Sequence, residues 1–271
     1  MSGYRDLKNL EDRVVLVTGA SSGLGEQIAY QLAQKGAIVV ACARNLDRLK
    51  EVAKACAEFR GKKAYAVQMD VADPDRIEKV VQQVENEVGP IDVLVNDAGF
   101  GLMQNALDFD MQVAEKMFRV NVLGTIYLSK FTALQMAARK RGAIINIASM
   151  AGKIATPKSS VYSATKAAVL GYSDALRLEL KPLGISVMTV NPGPIRTKFF
   201  DKADKSGNYL EKINGIVGTF IIFMLWLNIA SLLFLFGVAV NATIIRNRVG
   251  ELEYSAGRIA SYIQDKRRKQ K

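Results

Sequence analysis

A chain of 271 residues, 49% apolar and 23% charged, carries enough hydrophobic side chains for one large domain or one domain plus an appendage, which excludes wholesale disorder. The formal charge of +11 points to nucleic acid only until it is located: eight Lys/Arg against three Asp/Glu lie between Asn241 and Lys271, and elsewhere no basic stripe is interleaved with aromatics. With no histidine, a Ser-His-Asp triad, a Cys-His pair or a His-ligated metal is excluded, and acid–base chemistry falls to carboxylate, Tyr, Lys or Cys. Cys42 and Cys56 make no disulfide framework and fit a reducing compartment, while the polar stretch Ser2 to Arg13 has no signal-peptide core.

Short β-branched runs alternate with longer helical patterns. Strands are expected at Val14–Thr18, Ile38–Ala43, Ala64–Met69, Val93–Asn96, Ala143–Ala148 and Ile185–Val190, all reading as buried on both faces. Helices are expected near Gly23–Lys35, Leu46–Phe59, Pro74–Val88, Met111–Lys140 and Ser160–Leu180. The third of these has Asp73 as N-cap and Pro74 at its first position, where a missing N–H costs nothing. This alternation predicts βαβ units, and hence an α/β fold of Rossmann type with a doubly wound parallel sheet.

The first strand runs into Gly19, Ala20, Ser21, Ser22, Gly23, Leu24 and Gly25, and then into a helix. Glycines there permit a tight turn and close approach of a pyrophosphate, whose charge meets the N–H groups and dipole of the helix start. A lone glycine pattern can be an ordinary βα turn; the strand–loop–helix order is the context that makes it a cradle. Its Gly-x-x-x-Gly-x-Gly spacing resembles the signature of the short-chain dehydrogenase/reductase family, and the likeness continues in order over about residues 10–212. Asp70 and Val71 resemble that family's adenine contact. Asn96, Asp97, Ala98 and Gly99 stand where the family has Asn-Asn-Ala-Gly, with Asp97 the departure. Asn121, Ser149, Tyr162 and Lys166 match its catalytic tetrad, and Asn191, Pro192, Gly193 and Thr197 its loop beside the nicotinamide.

At the end of the second strand an NAD reader often carries a carboxylate for the ribose 2′-OH. This chain has Cys42-Ala43-Arg44-Asn45 instead. Arg44 offers a planar fork for a 2′-phosphate, which favours NADP(H) over NAD(H); the plainer alternative is a solvated residue before a helix.

Tyr162 and Lys166 are four apart on an expected helix and project from one face. An ammonium so placed favours phenolate and lowers the tyrosine toward a range useful for exchanging a proton with a carbonyl or alcohol oxygen. Ser149 would polarise that oxygen. The resemblance further implies that Lys166 binds the nicotinamide ribose and that Asn121 holds a water in the relay. Hydride transfer is the cofactor's chemistry, and no metal is needed. A Ser-Lys hydrolase is the composition's other possibility. The residues therefore point to an oxidoreductase acting on a carbonyl or alcohol, and the resemblance adds a homodimer or tetramer built on the two long helices.

Beyond Lys212 the character changes. Ile213 to Ile245 holds no charged residue, and such a stretch is long enough to cross a hydrocarbon core as a helix; a buried or dimerising helix is the alternative. Asn228 is its polar exception. Residues 215–248 resemble the last transmembrane helix of the YihY/BrkB family, notably Leu225-Trp226-Leu227 and Gly237-Val238-Ala239-Val240-Asn241-Ala242. No seventh strand is legible. The chain thus reads as an NADP(H)-binding domain over 1–212, a transmembrane helix over 213–245 and a basic tail over 246–271. The domain is expected to be membrane-associated and to face the cytoplasm, although the positive-inside rule would keep Lys266, Arg267, Arg268, Lys269 and Lys271 on that side too. The competing reading is a non-catalytic dinucleotide-binding protein, or a fusion with an incomplete substrate side.

Overall fold

The computed structural model describes residues 9–61 and 63–195, together with Phe199, Ala203, Asp204, Met224, Trp226, Leu227, Ile229 and Ser231. The chain divides into two units, Met1–Leu210 and Glu211–Lys271. In the first, β1 (Val14–Thr18), α1 (Gly23–Gln34), β2 (Ile38–Ala43), α2 (Leu46–Arg60), β3 (Tyr65–Gln68), α3 (Pro74–Glu87) and β4 (Ile91–Asn96) alternate strictly. Then come α4 (Met111–Phe118), a π-helical turn (Arg119–Leu123), α5 (Gly124–Ala138), β5 (Gly142–Ile147), α6 (Ser160–Leu180) and β6 (Ile185–Val190).

All strand pairings are parallel, and the six described strands lie in the order β3-β2-β1-β4-β5-β6. The order reverses between β1 and β4, which opens a crevice at their carboxyl ends. Period-two alternation supplies both faces of β1. Val14 and Leu16 join Leu94, Leu128, Met136 and Ile144 in one cluster, whereas Val15 and Val17 join Ala29, Ala33, Leu49 and Val52 in the other. Leu16, Leu94 and Ile144 are fully buried, and each contributes about 1.5–3 kcal/mol by leaving water.

Local chemistry sets the helix starts. Asn45 caps α2 by accepting from the Arg48 amide at 3.1 Å, and Asp73 caps α3 by accepting from the Arg76 amide at 3.2 Å, with Pro74 in the first turn. At the far end of the sheet the buried Asp92 carboxylate accepts from the Val14 amide at 3.2 Å and from Arg13 and Arg141 at 3.3 and 3.0 Å. That carboxylate ties β1 to β4 away from the crevice.

Two expectations need correction. The single helix Met111–Lys140 is interrupted: the Gly124 N–H bonds the Arg119 carbonyl five residues back, forming the π turn that separates α4 from α5. Edge strands are not buried on both faces, since β3 is half-buried for most of its length and β6 exposes Met188 and Val190. Among the described residues no helix is long and apolar enough to cross a membrane. The span expected over 213–245 lies outside them apart from Met224, Trp226, Leu227, Ile229 and Ser231, which are helical and exposed.

Candidate active site

The glycine loop joins β1 to α1 at the crevice. Gly19 has φ +71, and a Cβ there would lie 3.0 Å from the Ala98 amide nitrogen and Cα, so glycine lets the β1 and β4 ends approach this closely. A Cβ on Gly25 would lie 2.7 Å from the Gly19 carbonyl and 2.7 Å from Asp97 Oδ2. Ser22 stands at the N-cap position with extended backbone but makes no side-chain cap hydrogen bond, leaving amides of the first turn for another acceptor. Ser21 is half-buried, Ser22 exposed, and Leu24 packs against the core beneath.

Thr18, the first residue of the segment that resembles the family signature, joins the two strand ends. Its buried Oγ1 accepts from the Asp97 and Ala98 amides, each at 3.1 Å, and donates to the Val95 carbonyl at 3.3 Å. Farther along the carboxyl edge, Arg44 is exposed after β2, and its carbonyl accepts from Gln68 Nε2 at 2.9 Å. Asp70 Oδ1 accepts from the Ala72 amide at 2.9 Å, fixing the turn after β3, and Val71 is buried beside Gly124 of α5. Asn96 is turned inward: its amide donates to Ser129 Oγ at 3.1 Å and Asn146 Oδ1 at 2.8 Å, and Asn146 in turn donates to Ser173 Oγ at 2.9 Å. Asn96 thus braces the β4 end from inside the sheet.

The four expected catalytic residues converge. Asn121, in the π turn, is almost fully buried. It accepts from the Phe100 amide at 3.0 Å and donates to the Phe100 carbonyl at 2.8 Å and to Thr165 Oγ1 at 3.1 Å. The π turn matters here, because one extra residue in the turn re-aims this side chain toward 99–101. Lys166, buried on α6, donates to the Ile147 carbonyl at the end of β5 at 2.9 Å, and its Nζ stands 5.8 Å from the Tyr162 ring centroid. Gly99 lies between these groups: a Cβ there would be 3.1 Å from Asn121 Oδ1 and 3.6 Å from Lys166 Nζ.

Ser149 follows β5 and caps a short 3₁₀ turn, its Oγ accepting from the Ala151 amide at 3.1 Å. Tyr162 is buried one turn before Lys166 and meets the Phe199 ring at a centroid distance of 5.5 Å. Thr165 is the neighbour that motif reading missed, and it is found by asking which side chain shares the inner face of α6; Phe199 opens the segment 199–210, which in the sequence resembles the start of the family's substrate cover. Pro192 accepts from the Met150 amide at 3.0 Å, beside the exposed Gly193. Asn191 Oδ1 is buried without a hydrogen-bond partner among the described residues. Thr197 lies outside the described residues.

Electrostatics centre on two groups. Burial lowers Lys166 to about 8, opposed by the Asp97 charge, which raises it. Burial pushes Asp97 up to about 6, opposed by the Lys166 charge and a hydrogen bond from the Gly25 backbone. The thiols stand apart from this chemistry: burial raises Cys42 to about 12 and Cys56 to about 11, so both are inert core groups.

The short chain dehydrogenase family model matches residues 13–207. An uncharacterized oxidoreductase of Staphylococcus saprophyticus is 37% identical over 72% of this chain and 83% of its own length. The human dehydrogenase/reductase SDR family member 7 is 36% identical over 74% of this chain, which spans 60% of that longer relative. A short-chain type dehydrogenase/reductase structure from Mycobacterium marinum superposes with a TM-score of 0.69 at 35% identity, covering 73% of this chain and 79% of that one. An alcohol dehydrogenase from Thermococcus sibiricus, solved in complex with 5-hydroxy-NADP, gives 0.67 at 26% identity over 70% of this chain and 79% of that one. An NAD+-bound xylitol dehydrogenase gives 0.66 at 29% identity over 68% and 71%. With the crevice, the glycine loop and the convergent Ser/Tyr/Lys geometry already in place, these matches identify the chain as a member of the short-chain dehydrogenase family, an oxidoreductase family acting on CH–OH and C=O groups with nicotinamide dinucleotides.

Proposed function

We propose that this chain is an NADP(H)-dependent carbonyl reductase or alcohol dehydrogenase in which Tyr162 exchanges a proton with the substrate oxygen. The observation that carries the reading is the convergence of Tyr162, Lys166, Ser149 and Asn121 on segment 99–101 and the β5 end, beside the β1/β4 crevice.

The residues fit a dinucleotide. Close backbone packing at Gly19, the first turn of α1 where Ser22 supplies no side-chain cap, and the unpartnered buried Asn191 Oδ1 are the features that such a ligand would use. Gly19, Ser21, Ser22, Gly23, Leu24 and Gly25 would hold the pyrophosphate, Arg44 the 2′-phosphate, and Asp70 and Val71 the adenine. Ala98 and Gly99, with Asn96 bracing them, would line the path to the ribose held by Tyr162 and Lys166. Pro192, Gly193 and Thr197 would flank the nicotinamide, which when bound supplies or accepts a hydride at its C4.

The chain's own groups handle the proton. Ser149 Oγ accepts from Ala151, and its rotatable hydroxyl keeps a proton to donate to a carbonyl oxygen. Lys166 keeps its charge at neutral pH, and an ammonium beside Tyr162 favours the phenolate. Asn121 sets the backbone of Phe100 and, through Thr165, the pitch of α6 beside Tyr162. Phe199 gives the tyrosine an apolar side, which suits a substrate with an apolar body.

Exposed Met224, Trp226, Leu227 and Ile229 favour contact of 213–245 with an apolar phase, and so membrane association; a non-catalytic dinucleotide binder is the second reading. Titration of the full-length chain with NADPH and NADH, followed by NADPH oxidation over a panel of carbonyl compounds, separates them. Turnover that is lost in Tyr162→Phe with binding retained supports the reductase; binding with no turnover in either protein supports the second reading.

A further inference from the structure

We infer that Asp97 makes dinucleotide binding proton-linked: its carboxyl already occupies the α1 end of the cradle as a resident anion, and it takes up a proton when a dinucleotide binds there. This rests on the dinucleotide reading above.

The geometry sets two anions against one helix start. Asp97 lies immediately after β4, at the point where the strand order reverses. Its backbone is held by the Thr18 hydroxyl at 3.1 Å, and Oδ2 sits over Gly25, 2.7 Å from where a Cβ would be. The carboxyl also accepts a hydrogen bond from the Gly25 backbone. Gly25 is the third residue of α1, so this amide belongs to the orphan donors that a helix start offers to a pyrophosphate. An arriving diphosphate therefore shares that helix end with a half-buried carboxylate, and like charges at such range drive the weaker acid to protonate.

The groups around Asp97 set the pH window. Lys166 on α6 is the charged group acting on it, α1 contributes the Gly25 amide, and β1 contributes the neutral Thr18 hydroxyl. Glu26, the next residue of α1, is engaged by Tyr30 at 2.8 Å and Arg48 at 3.1 Å. Asp97 titrates near 6 before the ligand arrives, so around neutral pH the free chain carries the carboxylate. The ligand raises that value. Binding then takes up a proton between the free and bound values, and affinity falls as pH rises through this range, by at most about tenfold per pH unit.

NADH is the probe, because the 2′-phosphate of NADPH has its own ionisation near pH 6. Its Kd is measured on the full-length chain and on Asp97→Asn between about pH 5 and 7, a window that lies below the Lys166 value of about 8. The expected result is a Kd that weakens about five- to tenfold across the window in the parent chain and less than about twofold in Asp97→Asn, which binds tighter at the upper end. Calorimetric titration of the parent chain at pH 7 in buffers of different ionisation enthalpy should also register fractional proton uptake, a readout that does not depend on the variant folding. Equal pH slopes in the two proteins, or no proton uptake by the parent, would overturn the role of Asp97 while leaving the cofactor reading intact. Absence of NADH and NADPH binding at every pH would overturn the cofactor reading and this inference with it.

Discussion

On the β1 side of the crevice the geometry is set by close backbone approach: Gly19 at positive φ touches the Ala98 main chain and Gly25 passes under Asp97, with the Thr18 hydroxyl tying the two strand ends. On the β5 side it is made by buried side chains, with Asn121 clamping Phe100, Thr165 bridging to the Tyr162 carbonyl and Lys166 anchored on Ile147. The two sides should therefore fail differently. An added methyl group is an insult to the cradle, whereas a removed polar atom is an insult to the catalytic side. Each kind of change should leave the other half's task measurable.

The largest separation is expected from Tyr162→Phe. Turnover should fall about 10³-fold, within the range for loss of a general acid–base, while NADPH affinity weakens by no more than about tenfold, one ribose hydrogen bond. Steady-state rates with direct NADPH titration check both halves of this statement, and a variant that loses binding to the same degree would erase the division between the two sides. Asn121→Ala removes the partner of two Phe100 backbone groups and of Thr165, so it should destabilise the fold by about 2 kcal/mol, read as a lowered urea midpoint. Gly19→Ala places a side chain at φ +71 against Ala98. It should cost about 1–2 kcal/mol and weaken NADPH binding, with kcat at saturating cofactor nearly unchanged. The smallest effect is specific: Arg44→Ala should weaken NADPH by about tenfold, one charge-assisted hydrogen bond, and leave NADH unaltered. Equal losses for both cofactors would remove Arg44 from 2′-phosphate recognition.

The element order of the first unit was legible because its signals are local. Apolar runs mark buried strands, Asn45 and Asp73 cap their own helices, and the Gly19–Gly25 spacing sits between a strand and a helix. The π turn was not legible. A helical period continues through Arg119–Leu123, and what selects the extra residue is the docking of Asn121 against Phe100 and Thr165, partners far from it in the chain. Asn96 shows the same limit: its motif position suggested a cofactor contact, and only strand order places Asn146 and Ser129 beside it. The bonds of Thr18 to the Asp97 and Ala98 amides and the meeting of Phe199 with Tyr162 were not legible for the same reason.

By itself, then, the sequence determined the α/β alternation, the glycine loop and the helical spacing of Tyr162 and Lys166, since each depends on neighbours within a few residues. Tertiary structure alone decided that Asp97 lies over Gly25 within the electrostatic reach of Lys166, that Asn121 closes on Phe100, and that Phe199 meets Tyr162. Those contacts join residues tens of positions apart, and no local propensity encodes them; they exist because a parallel sheet brings the carboxyl ends of β1, β4 and β5 to a single edge.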